Sequence, residues 1–215
     1  MIKAIVFDFD DTLVSKIEEK KQETFWELFS GNMEAYEAAK KFVRKNVGLP
    51  RREMIAGILE VLGGEDIELK NKDTEYYVRK FGEITEAAQI SFPAMPGAEE
   101  LLTKLYQTHA LYINTQTSQD SIDRVIVARG WKHFFKEIYG SPPGTKKEHL
   151  AEIIKLEGVE PGNVLVVGDG RSDLEEANAF NCPFIGVAND LNSWRNKEFA
   201  LVSDLSELKD LIQKL

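Results

Sequence analysis

Cysteine is almost absent from this 215-residue chain: Cys182 stands alone, which excludes an intrachain disulfide and any cysteine-rich zinc site. It lies in NCPFIGV at 181–187, where an apolar run begins, and reads as a core residue. Basic residues are in deficit as well. Lysine and arginine number 27 against 36 acidic residues, giving a net charge of −9 and a pI near 5.0. A nucleic-acid partner needs a basic stripe to displace counterions, so none is expected. Long apolar runs are also missing, since none approaches the roughly 20 residues a membrane span requires. The first residues, MIKAIVFD, are too short a stretch and too quickly acidic for a secretory signal. A soluble cytoplasmic protein is the expectation, without membrane or nucleic-acid partners. What is present is ordinary for a globular domain: 43% hydrophobic and 29% charged residues, enough chain for one large domain or a domain with an insert.

Apolar runs at 2–7, 110–113, 164–167, 184–187 and 199–202, with a weaker one at 137–139, read as strands. They are nearly continuous rather than alternating, and helical patterns at 98–106, 118–128, 146–157, 173–180 and 205–215 separate most of them. That combination predicts a parallel sheet covered on both faces. Residues 16–92 behave differently, showing helix patterns without a convincing strand. One stripe is Met33, Tyr36, Ala39, Val43 and Val47, ended by Gly48; another is Met54, Ile55, Ile58, Leu59 and Leu62, stopped by Gly63-Gly64. Tyr77, Phe81, Ile84 and Ala88 suggest a third helix. The expected organisation is an α/β, Rossmann-like core of 1–15 and 93–215, carrying a small all-helical domain of 16–92.

The first strand runs into Asp8-Phe9-Asp10-Asp11-Thr12, at the carboxyl edge where open parallel sheets bind ligands. Acids two residues apart in an extended chain point the same way, so their repulsion must be relieved by a cation or by protonating one of them. After another buried strand, Gly168-Asp169-Gly170-Arg171-Ser172-Asp173 repeats the arrangement, with glycines permitting close backbone approach. A single Asp in either place is commonly just a turn or a helix cap. Carboxylates at two strand ends of one sheet are costly unless compensated, and a hard, oxygen-preferring ion such as Mg²⁺ compensates them.

Taken together, these segments resemble the haloacid dehalogenase superfamily, in its phosphoglycolate phosphatase-like branch. Asp8-Phe9-Asp10-Asp11-Thr12 is similar to its first motif. Thr115, ending the next core strand, fits the second, although Asn114 precedes it and Gln116 follows it. Lys146, preferred to Lys147 because it opens the turn leading to Leu150, fits the third, and Gly168-Asp169 through Asp173 the fourth. The resemblance implies a Mg²⁺-dependent phosphomonoester hydrolase acting on a small phosphorylated metabolite. Asp8 is then the nucleophile, and Asp10 the general acid and base. Asp8, Asp169 and Asp10, the last through its backbone carbonyl, hold the metal. Thr115 and Lys146 bind phosphoryl oxygens, Asp173 orients Lys146 or a metal-bound water, and Thr12 braces the loop. The helical insert becomes a cap, with hinges near 14–16 and 92–96. A sugar-phosphate mutase shares these motifs, a dehalogenase has no need of Asp10, and a silent binding module would lack some of these acids. His109, His133 and His149 match no role and are assigned to structure, the last two on the surface.

Overall fold

The computed structural model describes residues 1–29, 33–46, 49, 51–62, 74–189, 194 and 199–215; Val47, Gly48, Gly63 and Gly64, the expected ends of two helices, lie outside them. Helices and strands are numbered separately in chain order. Two compact units are formed, Met1–Ile17 with Gln89–Leu215, and Glu18–Ala88.

The first unit is built on six parallel strands, β1 (Ala4–Phe7), β2 (Ala110–Asn114), β3 (Glu137–Tyr139), β4 (Val164–Gly168), β5 (Phe184–Val187) and β6 (Ala200–Val202), in the order β3-β2-β1-β4-β5-β6. Every residue of β1 and β4 is buried, which is why their sequences run apolar without alternation. Ala4, Val6, Tyr112, Val164 and Val166 pack with Leu150, Ile153, Ala177 and Cys182 on one face, while the alternate residues Ile5 and Phe7 serve the other. Cys182 is therefore a core residue, its thiol pushed up to about 11 chiefly by burial. The strand order reverses at β1, so the carboxyl ends of β2, β1 and β4 lie side by side; Phe7 is in register with Ile113 on one flank and Val167 on the other.

The helices of the second unit are α1 (Ile17–Leu28), α2 (Met33–Lys45), α3 (Arg51–Leu62) and α4 (Thr74–Ser91), the last finishing within the first unit. Phe25 lies against Phe81 with centroids 4.3 Å apart, and Phe29 stacks on Tyr77 at 4.9 Å, over Met54, Ile55 and Ile58. The stripe expected of α2 is partly displaced: Ala39 is buried, Tyr36 and Val43 are half-buried, and Met33 is exposed. On α4 the inward position is taken by Thr85 rather than Ile84, its hydroxyl satisfied by the carbonyl of Phe81 at 2.9 Å. Among the described residues, no helix is long and apolar enough to cross a membrane.

The crossover helices α5 (Ala98–Leu105), α6 (Gln119–Ala128), α7 (Lys146–Glu157) and α8 (Arg171–Phe180) return the chain between strands. At the end of the chain, the helix expected over 205–215 opens as a 3₁₀ turn, Leu205–Glu207, before α9 (Leu208–Ile212). The side chain of Asp204 accepts the Ser206 N–H and favours that tighter start.

Candidate active site

Local sequence explains how each functional side chain is delivered. After β1 the chain turns sharply: Asp11 adopts φ 54°, a left-handed conformation that Asp tolerates better than most side chains, and its N–H donates to Val14 O at 2.8 Å. Its carboxylate then accepts the Ile17 N–H at 3.0 Å, capping α1. Lys146 is placed by a capping box. Thr145 Oγ1 accepts the Glu148 N–H and Glu148 accepts the Thr145 N–H, so α7 begins with Lys146 as its first residue. Lys146 is buried and Lys147 exposed. Gly168 ends β4 where a Cβ would stand 2.3 Å from Asp173 Cγ, so no larger residue fits against that carboxyl group. Asp173 is the third residue of α8 and takes part in capping it, its Oδ2 accepting the Gly170 N–H at 2.9 Å.

These elements converge. Lys146 Nζ lies 2.6 Å from Asp8 Oδ1 and 2.5 Å from Asp173 Oδ1, all three residues being buried. Thr12 Oγ1 reaches Asp169 Oδ1 at 3.4 Å, and Asn189 Nδ2 donates to the other oxygen of Asp169 at 2.8 Å. Asp8, Asp169 and Asp173 each offer a carboxylate oxygen within 4.8 Å of the others. This all-oxygen, net-negative set suits a hard divalent cation, and these are the residues that could hold one. The Asp10 carboxylate points elsewhere, to Gln89 Nε2 at 2.7 Å and Thr117 Oγ1 at 3.4 Å. Thr115 is buried at the end of β2, its hydroxyl accepting the Thr117 N–H at 3.3 Å.

Electrostatics follow from crowding acids where water is scarce. Burial pushes Asp8 up to about 7, opposed by Lys146 and reinforced by Asp173 and Asp10. Asp169 is raised to about 8 by burial and by the charges of Asp8 and Asp173. For Lys146, burial pulls downward, but Asp173, Asp8 and Glu176 outweigh it and hold the ammonium form well above the usual lysine range. An additional cation would satisfy the same field that now retains protons on the acids.

Sequence reasoning missed a buried network behind Lys146. Asn114 Nδ2 donates to the Lys146 carbonyl at 2.9 Å and to Glu176 Oε2 at 2.7 Å, while Asn114 Oδ1 meets His149 Nδ1 at 3.0 Å. His149 Nε2 is 3.0 Å from Pro143 O, and its ring stacks on Tyr139. His149 is thus buried, not on the surface as expected; its position between Lys146 and the buried Leu150 and Ile153 on α7 is the periodic signal that could have placed it. His133 is exposed. Glu176 is pushed up to about 9, chiefly by burial against the opposing pull of Lys146.

The fold and this arrangement of acids define the class, a Rossmann-like α/β enzyme core with its site at the β1–β4 edge. The chain matches the profile of the haloacid dehalogenase-like hydrolases over residues 5–187 and belongs to that family. It is 29% identical over 101 residues to a phosphoglycolate phosphatase of Synechococcus elongatus, an alignment covering 46% of this chain and 46% of that protein, so the match spans less than half of the curated relative. Among solved structures, the HAD-hydrolase YfnB of Bacillus subtilis, solved bound to magnesium, has a TM-score of 0.75 at 17% identity and 98% coverage of both chains. CbbY of Rhodobacter sphaeroides, solved with phosphate, has a TM-score of 0.72 at 19% identity, covering 97% of this chain and 96% of that one. At such identities the likeness is one of fold.

Proposed function

We propose that the chain is a Mg²⁺-dependent phosphomonoester hydrolase that works through an aspartyl phosphate on Asp8. The observation that carries this reading is the separation of two carboxylates only two residues apart. Asp8 faces Lys146 among the clustered acids, whereas Asp10 is held in a neutral hydrogen-bonding cradle of Gln89 and Thr117. Different surroundings give the two acids different tasks.

In this reading Asp8 attacks phosphorus in line with the ester oxygen, forming the acyl phosphate as the P–O bond to the leaving group breaks. Asp10 gives its proton to the departing alkoxide, then takes one from the water that attacks the same phosphorus, releasing phosphate and restoring Asp8. Lys146 favours the ionised form of Asp8 against its burial and offers its remaining donor capacity to phosphoryl oxygens, which the Thr115 hydroxyl also binds. Asp173 fixes Lys146. A Mg²⁺ held by Asp8, Asp169 and the Asp10 carbonyl or Asp173 would neutralise charge on the phosphoryl group. Residues 16–92 are proposed as the cap that selects the leaving group, and the substrate as a small cytoplasmic phosphorylated metabolite. Phosphoglycolate, the substrate in the curated relative's name, is the first to try.

The test is phosphate release over a panel of phosphoglycolate, sugar phosphates and nucleotides with Mg²⁺, comparing the native chain with Asp8→Asn. Turnover confined to the native chain is expected; full activity in Asp8→Asn would remove the nucleophile.

A further inference from the structure

Gln89 is only 1% exposed, and packing alone would be served as well by leucine or methionine. It lies on the last turn of α4, and both hydrogens of its amide are committed. Nε2 donates to Asp10 Oδ1 at 2.7 Å and to Thr117 Oγ1 at 2.9 Å, while Thr117 Oγ1 reaches the other oxygen of Asp10 at 3.4 Å. Gln89 thus pins Oδ1 while Thr117 holds Oδ2, and together they fix the plane and direction of the Asp10 carboxyl group.

The backbone of Gln89 is held just as firmly. A helix leaves its last carbonyls without partners, and here one guanidinium collects them: Arg129 Nη1 is 2.7 Å from Gln89 O, 3.0 Å from Ile90 O and 3.0 Å from Phe92 O. Arg129 lies 4.4 Å over the ring of Trp131, which packs edge-on against Phe9, the residue between the two acids. All of these residues belong to the first unit.

We infer that Gln89, clasped by Arg129, is a positioning residue that sets where the Asp10 carboxyl group points. The inference deepens the phosphohydrolase reading and rests on Asp10 being its general acid. Gln89 is not itself a catalytic residue, because it acts through Asp10.

The leaving group tests it. p-Nitrophenolate departs with little protonation, whereas an alkoxide needs the acid fully. Gln89→Met is to be compared with the native chain on p-nitrophenyl phosphate and on alkyl phosphates, with Asp10→Asn alongside. General acids contribute about 10²- to 10⁴-fold, so a misdirected one should lower the first-turnover rate of leaving-group release, read before the water step that all substrates share, by at least about tenfold on alkyl phosphates with little change on p-nitrophenyl phosphate. Arg129→Met, which leaves all three carbonyls without this donor, should show the same pattern more weakly and serves if Gln89→Met does not fold. Loss independent of the leaving group, or no loss, while Asp10→Asn still discriminates, would overturn the role of Gln89. An Asp10→Asn chain indifferent to the leaving group would overturn the acid assignment, and the inference with it.

Discussion

Titrating the protein with Mg²⁺ should expel protons. Burial and crowding raise Asp8 to about 7 and Asp169 to about 8, so both acids hold protons near neutral pH. A carboxylate must be ionised to ligate a hard cation, so binding at pH 7 should release roughly one to two protons per ion, falling towards none at pH 9. Calorimetry in two buffers of different ionisation enthalpy reads that number directly. The same groups set the sign of the stability change. Their folded values lie above the unfolded 3.8, so the folded chain binds protons more tightly, and the stability this gives is lost as pH rises through about 7 and 8. Metal-free protein should melt lower at pH 9 than at pH 6, and Mg²⁺ should raise Tm more at pH 9. Identical heats in both buffers at pH 7, or proton release unchanged at pH 9, would refute this electrostatic reasoning.

Other substitutions probe single links. Asn114→Ala strips partners from Glu176, His149 and the Lys146 carbonyl; at about 1–3 kcal/mol per orphaned buried group it should cost several kcal/mol in urea unfolding, and a loss under about 1 would mean the network is slack. Gly168→Ala drives a methyl into the Asp173 carboxyl group, so activity should fall sharply while circular dichroism keeps the helix signal; unaltered kcat would show that Asp173 need not hold Lys146. Thr145→Ala removes the capping box ahead of Lys146 and should cost about 1 kcal/mol in thermal unfolding, where Thr145→Ser should cost little.

The sheet was legible because a doubly covered parallel strand leaves an unmistakable trace, an apolar run followed at once by polar residues. Hence β5 and β3 fall where the runs at 184–187 and 137–139 do, and the acids at 8 and 169 follow buried strands. Lys146 was legible because it opens the turn leading to Leu150, and the capping box of Thr145 and Glu148 starts the helix at that residue. Gln89 and Arg129 were not, since a glutamine 79 positions from its partner and an arginine reaching backbone carbonyls leave no periodic mark. Glu176 was hidden for a related reason: in sequence it looks like its exposed neighbour Glu175 until Asn114 is seen opposite it. Asn189 follows β5, an apolar run without a second acid, and carried no comparable signal.

The central claim is that phosphate passes through Asp8. Asp10→Asn removes the base needed for the second step, so this variant, mixed with Mg²⁺ and p-nitrophenyl phosphate, whose leaving group departs without an acid, and then quenched in acid, should hold phosphate on the peptide containing Asp8, detected by mass and converted by borohydride to homoserine at that position. Phosphate on another residue, or an unmodified peptide from a variant that still turns over, would contradict it.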